Sequence, residues 1–140
     1  MTRSKADFKA LRERVGLSQQ DVADAANVTR TSVKRWERPG FNDPPADVWA
    51  WLEGLGANQD ALVDEVCARV EREGIDALQL TYWRDQAQFD ALGRDRGPYT
   101  MANANARAIW LALLGMGVEV SFSYPDDGDN IYHQTGTRID

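Results

Sequence analysis

Hydrophobic residues between residues 17 and 37 repeat at helical spacing in two short runs, separated by a polar break. Val22 and Ala26 lie four residues apart, which places them on one face of a helix. Val33 and Trp36 lie three residues apart and form the buried stripe of a second helix. The pattern therefore predicts two short helices that meet at a tight turn.

The polar residues around these two runs are typical of helix ends. Ser18 is placed to cap the first helix, with Asp21 three residues later as in a capping box. Asn27 occupies the predicted turn, and asparagine tolerates the left-handed conformation that such a corner often needs. Thr29 is placed to cap the second helix.

The second helix is predicted to expose long cationic and short hydroxyl side chains: Arg30, Thr31, Lys34 and Arg35. These side chains suit base edges and phosphates in a DNA major groove. The alternative is a solvated basic face on an ordinary helical domain. The coincidence of caps, turn and basic face in one short segment favours DNA recognition.

The segment resembles the helix-turn-helix of the lambda-repressor and Cro type, also called the XRE family, over about residues 5 to 56. The matching motifs are Leu11-Arg12-Glu13, Gly16-Leu17-Ser18-Gln19, Val22-Ala23, Asn27-Val28-Thr29, Ser32-Val33, Trp36-Glu37 and Pro44. The resemblance implies a structural ion pair between Arg12 and Glu37. Together with the exposed face, it predicts these DNA-binding residues: Gln19, Thr29, Arg30, Thr31, Ser32, Lys34, Arg35 and Arg38.

Two positions depart from the family pattern. Asn27 replaces the glycine that is usual in the turn, and the second helix ends in Glu37-Arg38-Pro39-Gly40 instead of Glu-x-Gly. The loop that follows is longer, so Arg38 and Asn42 either reach a phosphate or belong to a plain connection.

Two more helices are expected before residue 75. Pro44 and Pro45 open the first, with Val48, Trp51, Leu52 and Leu55 inward and a stop near Gly54 to Gly56. Trp49 falls on the other side, where it covers the following helix or lies in a subunit interface. A second amphipathic helix spans Asn58 to Glu73. It closes the helical core or contributes to dimerisation.

The hydrophobic period changes after residue 75. Alternating residues predict strands at 78–82 and 118–124, a turn at 125–130, and a returning strand at 131–135. A helix rich in alanine and leucine is expected from Met101 to Met116, apolar nearly all round. The predicted fold class is α+β, with an all-α domain of about five helices over residues 1–75 and a small β-α-β-β module over residues 76–140. A helix of this kind needs cover on more than one side, which a second subunit would supply.

Charge is distributed unequally along the 140 residues, whose formal net charge is −6. Residues 1–55 carry nine Lys or Arg against eight Asp or Glu, whereas residues 56–140 carry seven against fourteen. From Arg30 to Arg38, four basic residues face one acid. The local field there favours phosphate, so we expect modest nonspecific DNA affinity with marked salt dependence.

Other chemistry has little support in the sequence. One cysteine, Cys67, excludes an internal disulfide and a cysteine-based zinc cluster. Asp126, Asp127 and Asp129 lack the full pattern of a calcium loop, and no nucleophile motif accompanies His133 and the nearby serines. No metal, cofactor or catalytic residue is predicted. Without an apolar leader or spanning segment, a cytoplasmic protein is expected.

The leading hypothesis is a sequence-specific DNA-binding transcriptional regulator that acts as a homodimeric repressor. Repression is implied only by the resemblance. The alternative is an antitoxin-like or phage-associated autoregulator whose acidic C-terminal module binds a partner protein. A small enzyme ranks third.

Overall fold

The computed structural model describes residues 3–127, which contain six helices and two strands. The elements in chain order are α1 (Lys5–Arg14), α2 (Gln19–Ala26), α3 (Arg30–Trp36), α4 (Ala46–Glu73), β1 (Ala77–Thr81), α5 (Gln86–Leu92), α6 (Tyr99–Gly115) and β2 (Glu119–Ser123). Helices precede a small sheet, which confirms the α+β class. Contacts group the chain into two compact units, Met1–Gln59 and Asp60–Asp140. The domain boundary at about residue 75 stays a prediction.

Helix α1 begins at a complete capping box. The Ser4 hydroxyl accepts a hydrogen bond from the backbone N–H of Asp7, whose carboxylate accepts one from the backbone N–H of Ser4. The hydrogen bond from the Ser4 backbone lowers the pKa of the Asp7 carboxyl. The start of α1 is thereby fixed by side chains adjacent to it in sequence.

Phe8 is at the centre of the core of the first unit and is fully buried. Its ring meets Trp36 and Trp49 edge to face, with centroids 6.2 and 5.2 Å apart. Val22, Val33 and Leu52 are also fully buried in this unit. One aromatic side chain of α1 therefore contacts both α3 and α4.

The two helices predicted on either side of Gly54 to Gly56 are one continuous helix, α4, so the predicted stop is wrong. A Cβ built on Gly56 would lie 3.1 Å from Cδ1 of Leu11. The glycine therefore allows close approach of α1. Glycine lowers helix stability by roughly 1 kcal/mol relative to alanine, and this close packing offsets that cost.

The inward face predicted for the start of α4 is also partly wrong. Trp49 is 7% exposed, whereas Trp51 is 36% exposed. Val48, Trp49, Leu52, Gly56 and Gln59 are all buried and follow helical spacing along one side of α4. Since α4 does not stop at the glycines, the buried stripe continues through Gly56 to Gln59, and Trp51 lies outside it.

The buried Gln59 amide makes two hydrogen bonds with Arg14 of α1. Its Oε1 accepts a hydrogen bond from Nε of Arg14 at 2.9 Å, and its Nε2 donates to the Arg14 backbone carbonyl at 3.2 Å. A polar group at this depth needs such partners. Sequence periodicity alone did not indicate this contact.

Strands β1 and β2 form a two-stranded parallel sheet in the second unit. Ala77 pairs with Glu119 and Thr81 with Ser123, so both strands end at the same edge. Leu80 and Val118 join Val70, Ile109 and Leu113 in one buried cluster. Both predicted strands are confirmed, although burial does not alternate cleanly along β1, and α6 confirms the predicted alanine-rich helix.

Helix α5 was not predicted, although its beginning has a recognisable signal. Asp85 caps the helix by accepting a hydrogen bond from the backbone N–H of Gln88 at 2.8 Å. The Gln88 side chain in turn accepts one from the backbone N–H of Arg84 at 2.9 Å. The connection between the strands therefore holds two helices, not one.

The predicted third strand at 131–135, His133, and the predicted turn beyond Asp127 lie outside the described residues. Between residues 3 and 127, no helix has the length and apolar character needed to cross a bilayer. Over the same range, no three His, Cys, Asp or Glu side chains cluster as a metal site would require.

Candidate nucleic-acid interface

Side-chain caps and a left-handed corner determine where α2 and α3 begin and meet. Ser18 and Asp21 form a second capping box at the start of α2. Asn27 ends α2 with φ 56° and ψ 47°, the left-handed conformation predicted for it. Thr29 then caps α3 by accepting from the backbone N–H of Ser32 at 3.2 Å. The chain therefore turns within three residues.

Substitution of Asn27 tests how strongly the corner depends on this conformation. Asn27→Val should lower the free energy of unfolding by about 1–2 kcal/mol, because a β-branched residue is strained at positive φ. Asn27→Gly should change it by less than about 1 kcal/mol, because glycine adopts this conformation without strain. Urea denaturation measures both. Equal losses for the two variants would contradict a role for backbone conformation.

The outer face of α3 exposes the side chains predicted to approach DNA. Arg30, Thr31, Lys34 and Arg35 are all exposed, while Val33 and Trp36 are buried beneath them. Among the described residues, the side chains of Arg30 and Lys34 form no hydrogen bond or ion pair. The helix therefore presents these two cations without an intramolecular partner.

Arg12 and Glu37 form a buried bidentate ion pair between α1 and the end of α3. Nε and Nη2 of Arg12 lie 2.6 and 2.9 Å from the two carboxylate oxygens of Glu37. Nη1 of Arg12 donates to the Leu17 carbonyl at 2.9 Å. The side chains of Arg12 and Glu37 are only 10% and 4% exposed. This ion pair links the C-terminal end of α3 to α1.

Three of the predicted DNA-binding side chains already make hydrogen bonds within the protein. Gln19 is half-buried, and its Nε2 donates to Oε1 of Glu37 at 3.1 Å. An amide nitrogen carries two hydrogens, so a second donor remains for a phosphate. The hydroxyls of Thr29 and Ser32 lie 3.1 Å apart. Their predicted DNA contacts stay predictions.

Lys5 also holds the C-terminal end of α3, and the sequence pattern did not indicate this role. Its Nζ donates to the backbone carbonyls of Arg35 and Trp36 at 3.0 and 3.1 Å, and to that of Asn42. A cation at a helix C-terminus also interacts favourably with the helix dipole. Lys5 therefore holds both the end of α3 and the following loop.

The loop after α3 contributes one aromatic and one cationic side chain to the same region. The Arg35 guanidinium lies 5.7 Å from the ring centroid of Phe41, which is half exposed. Arg38 is exposed. The interaction with Phe41 restricts Arg35, whereas nothing comparable restricts Arg30 or Lys34 among the described residues.

Residues 6–66 match a family model described as a helix-turn-helix domain. This part of the chain is a helix-turn-helix domain. The match covers α1 to α3 and most of α4, and it agrees with the resemblance found in the sequence. No curated protein matches the chain significantly. The C-terminal part, beyond residue 66, has no family assignment.

The electrostatics of the helix-turn-helix domain depend on where its acids lie. Glu37 is the one acid between Arg30 and Arg38, and its carboxylate is buried against Arg12. The exposed side chains of that segment therefore carry four positive charges and no negative charge. A helix-turn-helix domain with this surface indicates a DNA-binding regulator.

Proposed function

We propose that the protein is a sequence-specific DNA-binding transcriptional repressor that reads the major groove with α3 and acts as a homodimer. The exposed face of α3 is the observation that carries this proposal. Arg30 and Lys34 are extended donors for base edges or phosphates, and Thr31 offers a short hydroxyl beside them. Arg35 and Arg38 add positive charge for the DNA backbone.

The support around α3 favours base recognition over loose electrostatic binding. Two side chains of α1 position α3. Arg12 forms the ion pair with Glu37, and Lys5 donates to backbone carbonyls at the C-terminus of α3. Trp36 packs against Phe8 on the opposite side. Discrimination between base pairs needs side chains placed within a few tenths of an ångström, and rigid support of this kind supplies it. The overall charge of −6 opposes nonspecific adsorption.

Selection from a random duplex pool tests sequence-specific binding. We expect enrichment of an inverted repeat whose half-site centres lie about one helical turn, or a multiple of it, apart. Affinity for the enriched duplex should fall steeply with added salt, because bound cations are released from phosphates. Fluorescence anisotropy at several salt concentrations measures this. A pool that stays unenriched after repeated selection would refute sequence-specific recognition.

Dimerisation is proposed through the exposed side of α6. Leu111 and Leu114 are 62% and 49% exposed and lie three residues apart, so they share one face. Met116 follows them and is also exposed. Exposed apolar side chains of this kind, presented identically by two copies, suit a self-complementary interface about a two-fold axis. Such symmetry would match an inverted repeat.

Replacing either leucine with a charged residue should weaken self-association. We expect Leu111→Asp to raise the dimer dissociation constant by about tenfold or more, because a carboxylate would be desolvated in the interface. Analytical ultracentrifugation of the full chain measures this. Leu92→Asp is the matched control, since Leu92 is also an exposed leucine, at 48%, but lies on α5. Equal weakening by both variants, or a native chain that stays monomeric, would contradict the proposed interface.

Repression would follow from occupancy of a promoter by the bound dimer. A regulator of this kind acts in the compartment that holds the DNA, consistent with the cytoplasmic location expected from the sequence. A promoter fusion carrying the selected site would show lower reporter output when the protein is expressed, and no change when the site is scrambled.

A further inference from the structure

An open crevice of about 360 Å³ lies in the second unit at the end of both strands. Strands β1 and β2 are parallel and end at Thr81 and Ser123, which pair with each other. Tyr82 and Tyr124 follow directly and line the crevice. In open α/β sheets, ligands bind outside the carboxyl ends of parallel strands. The volume falls within the range of small-molecule sites.

Aromatic rings form the wall of this crevice and hold one another in place. Phe122 meets Tyr82 and Trp110 edge to face, with centroids 5.3 and 5.6 Å away. The backbone after Tyr82 is fixed by Asn103, which is 4% exposed. Its amide donates to the Trp83 carbonyl and accepts from the Trp83 N–H, both at 2.8 Å. The wall is therefore preorganised for a flat apolar group.

Two arginines lie near the crevice, and they differ in their partners. Arg84 pairs with Asp126 at 2.9 Å, and this hydrogen bond lowers the pKa of the Asp126 carboxyl. Arg107 lines the crevice and donates from Nη1 to the Tyr82 hydroxyl at 2.6 Å. No carboxylate among residues 3–127 lies within salt-bridge distance of Arg107. Its guanidinium therefore keeps donors for an anion.

The remaining charge in the crevice limits which anion fits. Asp127 also lines it, and its carboxylate accepts a hydrogen bond from the backbone N–H of Tyr124 at 2.8 Å. Because one cation, Arg107, and one carboxylate, Asp127, line the crevice, binding of a doubly charged phosphate is disfavoured there. A planar carboxylate carries a single charge and matches the fork of a guanidinium.

We propose that the crevice binds a small planar aromatic carboxylate, with its ring against Trp110 and Phe122 and its carboxylate on Arg107. The ring of the ligand displaces water from the aromatic wall. Its carboxylate accepts hydrogen bonds from the N–H groups of Arg107 that are not donated to Tyr82. This site makes the second unit a ligand-binding element. It does not depend on the proposed repressor activity.

Calorimetric titration of the full chain with naphthalene-2-carboxylate tests the proposal, with naphthalene-2-carboxamide as the uncharged probe. We expect saturable binding of one acid per chain and at least tenfold weaker binding of the amide. Arg107→Gln should weaken binding of the acid by about tenfold and leave binding of the amide unchanged. Arg107→Lys should give an intermediate affinity, because it keeps the charge without the planar fork.

Arg96→Gln is the matched control, because Arg96 is exposed and lies outside the crevice. It removes the same charge and should leave both affinities unchanged. Thermal melts establish that each variant is folded. Lack of saturable binding at millimolar acid would overturn the proposal. So would an Arg107→Gln variant that binds the acid as tightly as the native chain, or one that loses the acid and the amide equally.

Discussion

Replacing Arg30 and Lys34 together with alanine is expected to weaken binding to the selected duplex by about 100-fold, because each base-edge or phosphate contact contributes roughly 1–3 kcal/mol. Folding should be nearly unaffected, since both side chains are exposed and neither makes an intramolecular hydrogen bond within residues 3–127. We expect the free energy of unfolding to change by less than about 0.5 kcal/mol. Fluorescence anisotropy and urea denaturation measure the two effects.

The double variant Arg72→Ala and Arg96→Ala is the matched control. Both residues are exposed and lie in the second unit. Their replacement removes two positive charges, as the α3 double variant does. A general electrostatic effect would weaken DNA binding equally in the two double variants. The assigned role of α3 therefore requires a large difference between them. A comparable loss of affinity in both, or parallel losses of affinity and stability in the α3 variant, would count against it.

Removing Arg12 alone should be among the most destabilising single changes in the helix-turn-helix domain. In Arg12→Met the Glu37 carboxylate, 4% exposed, would remain buried without its cation, and the Leu17 carbonyl would lose its donor. Breaking one side of a buried ion pair costs about 3–5 kcal/mol. Urea denaturation measures the loss. DNA affinity should fall as well, because the pair fixes the end of α3 against α1.

A double variant separates the cost of an unpaired charge from the value of the pair itself. Replacing both Arg12 and Glu37 with methionine leaves no buried charge, so much of the lost stability should return. The double variant should therefore unfold at a higher urea concentration than Arg12→Met. A loss of less than about 1 kcal/mol in the single variant would show that solvent reaches Glu37 and would contradict its burial.

Local features of the helix-turn-helix domain were predicted well because they depend on residues close in sequence. Ser18 with Asp21, and Thr29 with Ser32, satisfy helix ends within three residues. Asn27 adopts the left-handed corner through its own backbone preference. Such interactions need no partner from elsewhere in the chain.

The errors share one cause, which is dependence on partners that are distant in sequence. Gly56 looked like a helix stop, but it lies against Leu11 of α1. Trp49 was predicted to face away from the inward stripe because that stripe included Trp51, yet Phe8 packs against Trp49. Lys5, which holds the end of α3, carried no signal in the sequence pattern. The amphipathic pattern alone could not choose among these packings.

The sequence by itself determined the two capped helices, the left-handed corner between them, the basic outer face of α3, and the positions of both strands. These follow from local backbone preference, hydrogen bonding and periodicity. Only the tertiary structure decided that Glu37 is buried against Arg12, so that the exposed charges from Arg30 to Arg38 are all positive. It also decided that β1 and β2 run parallel and bring Tyr82, Tyr124 and Arg107 to one crevice. Both depend on how distant segments pack, which sequence spacing does not specify.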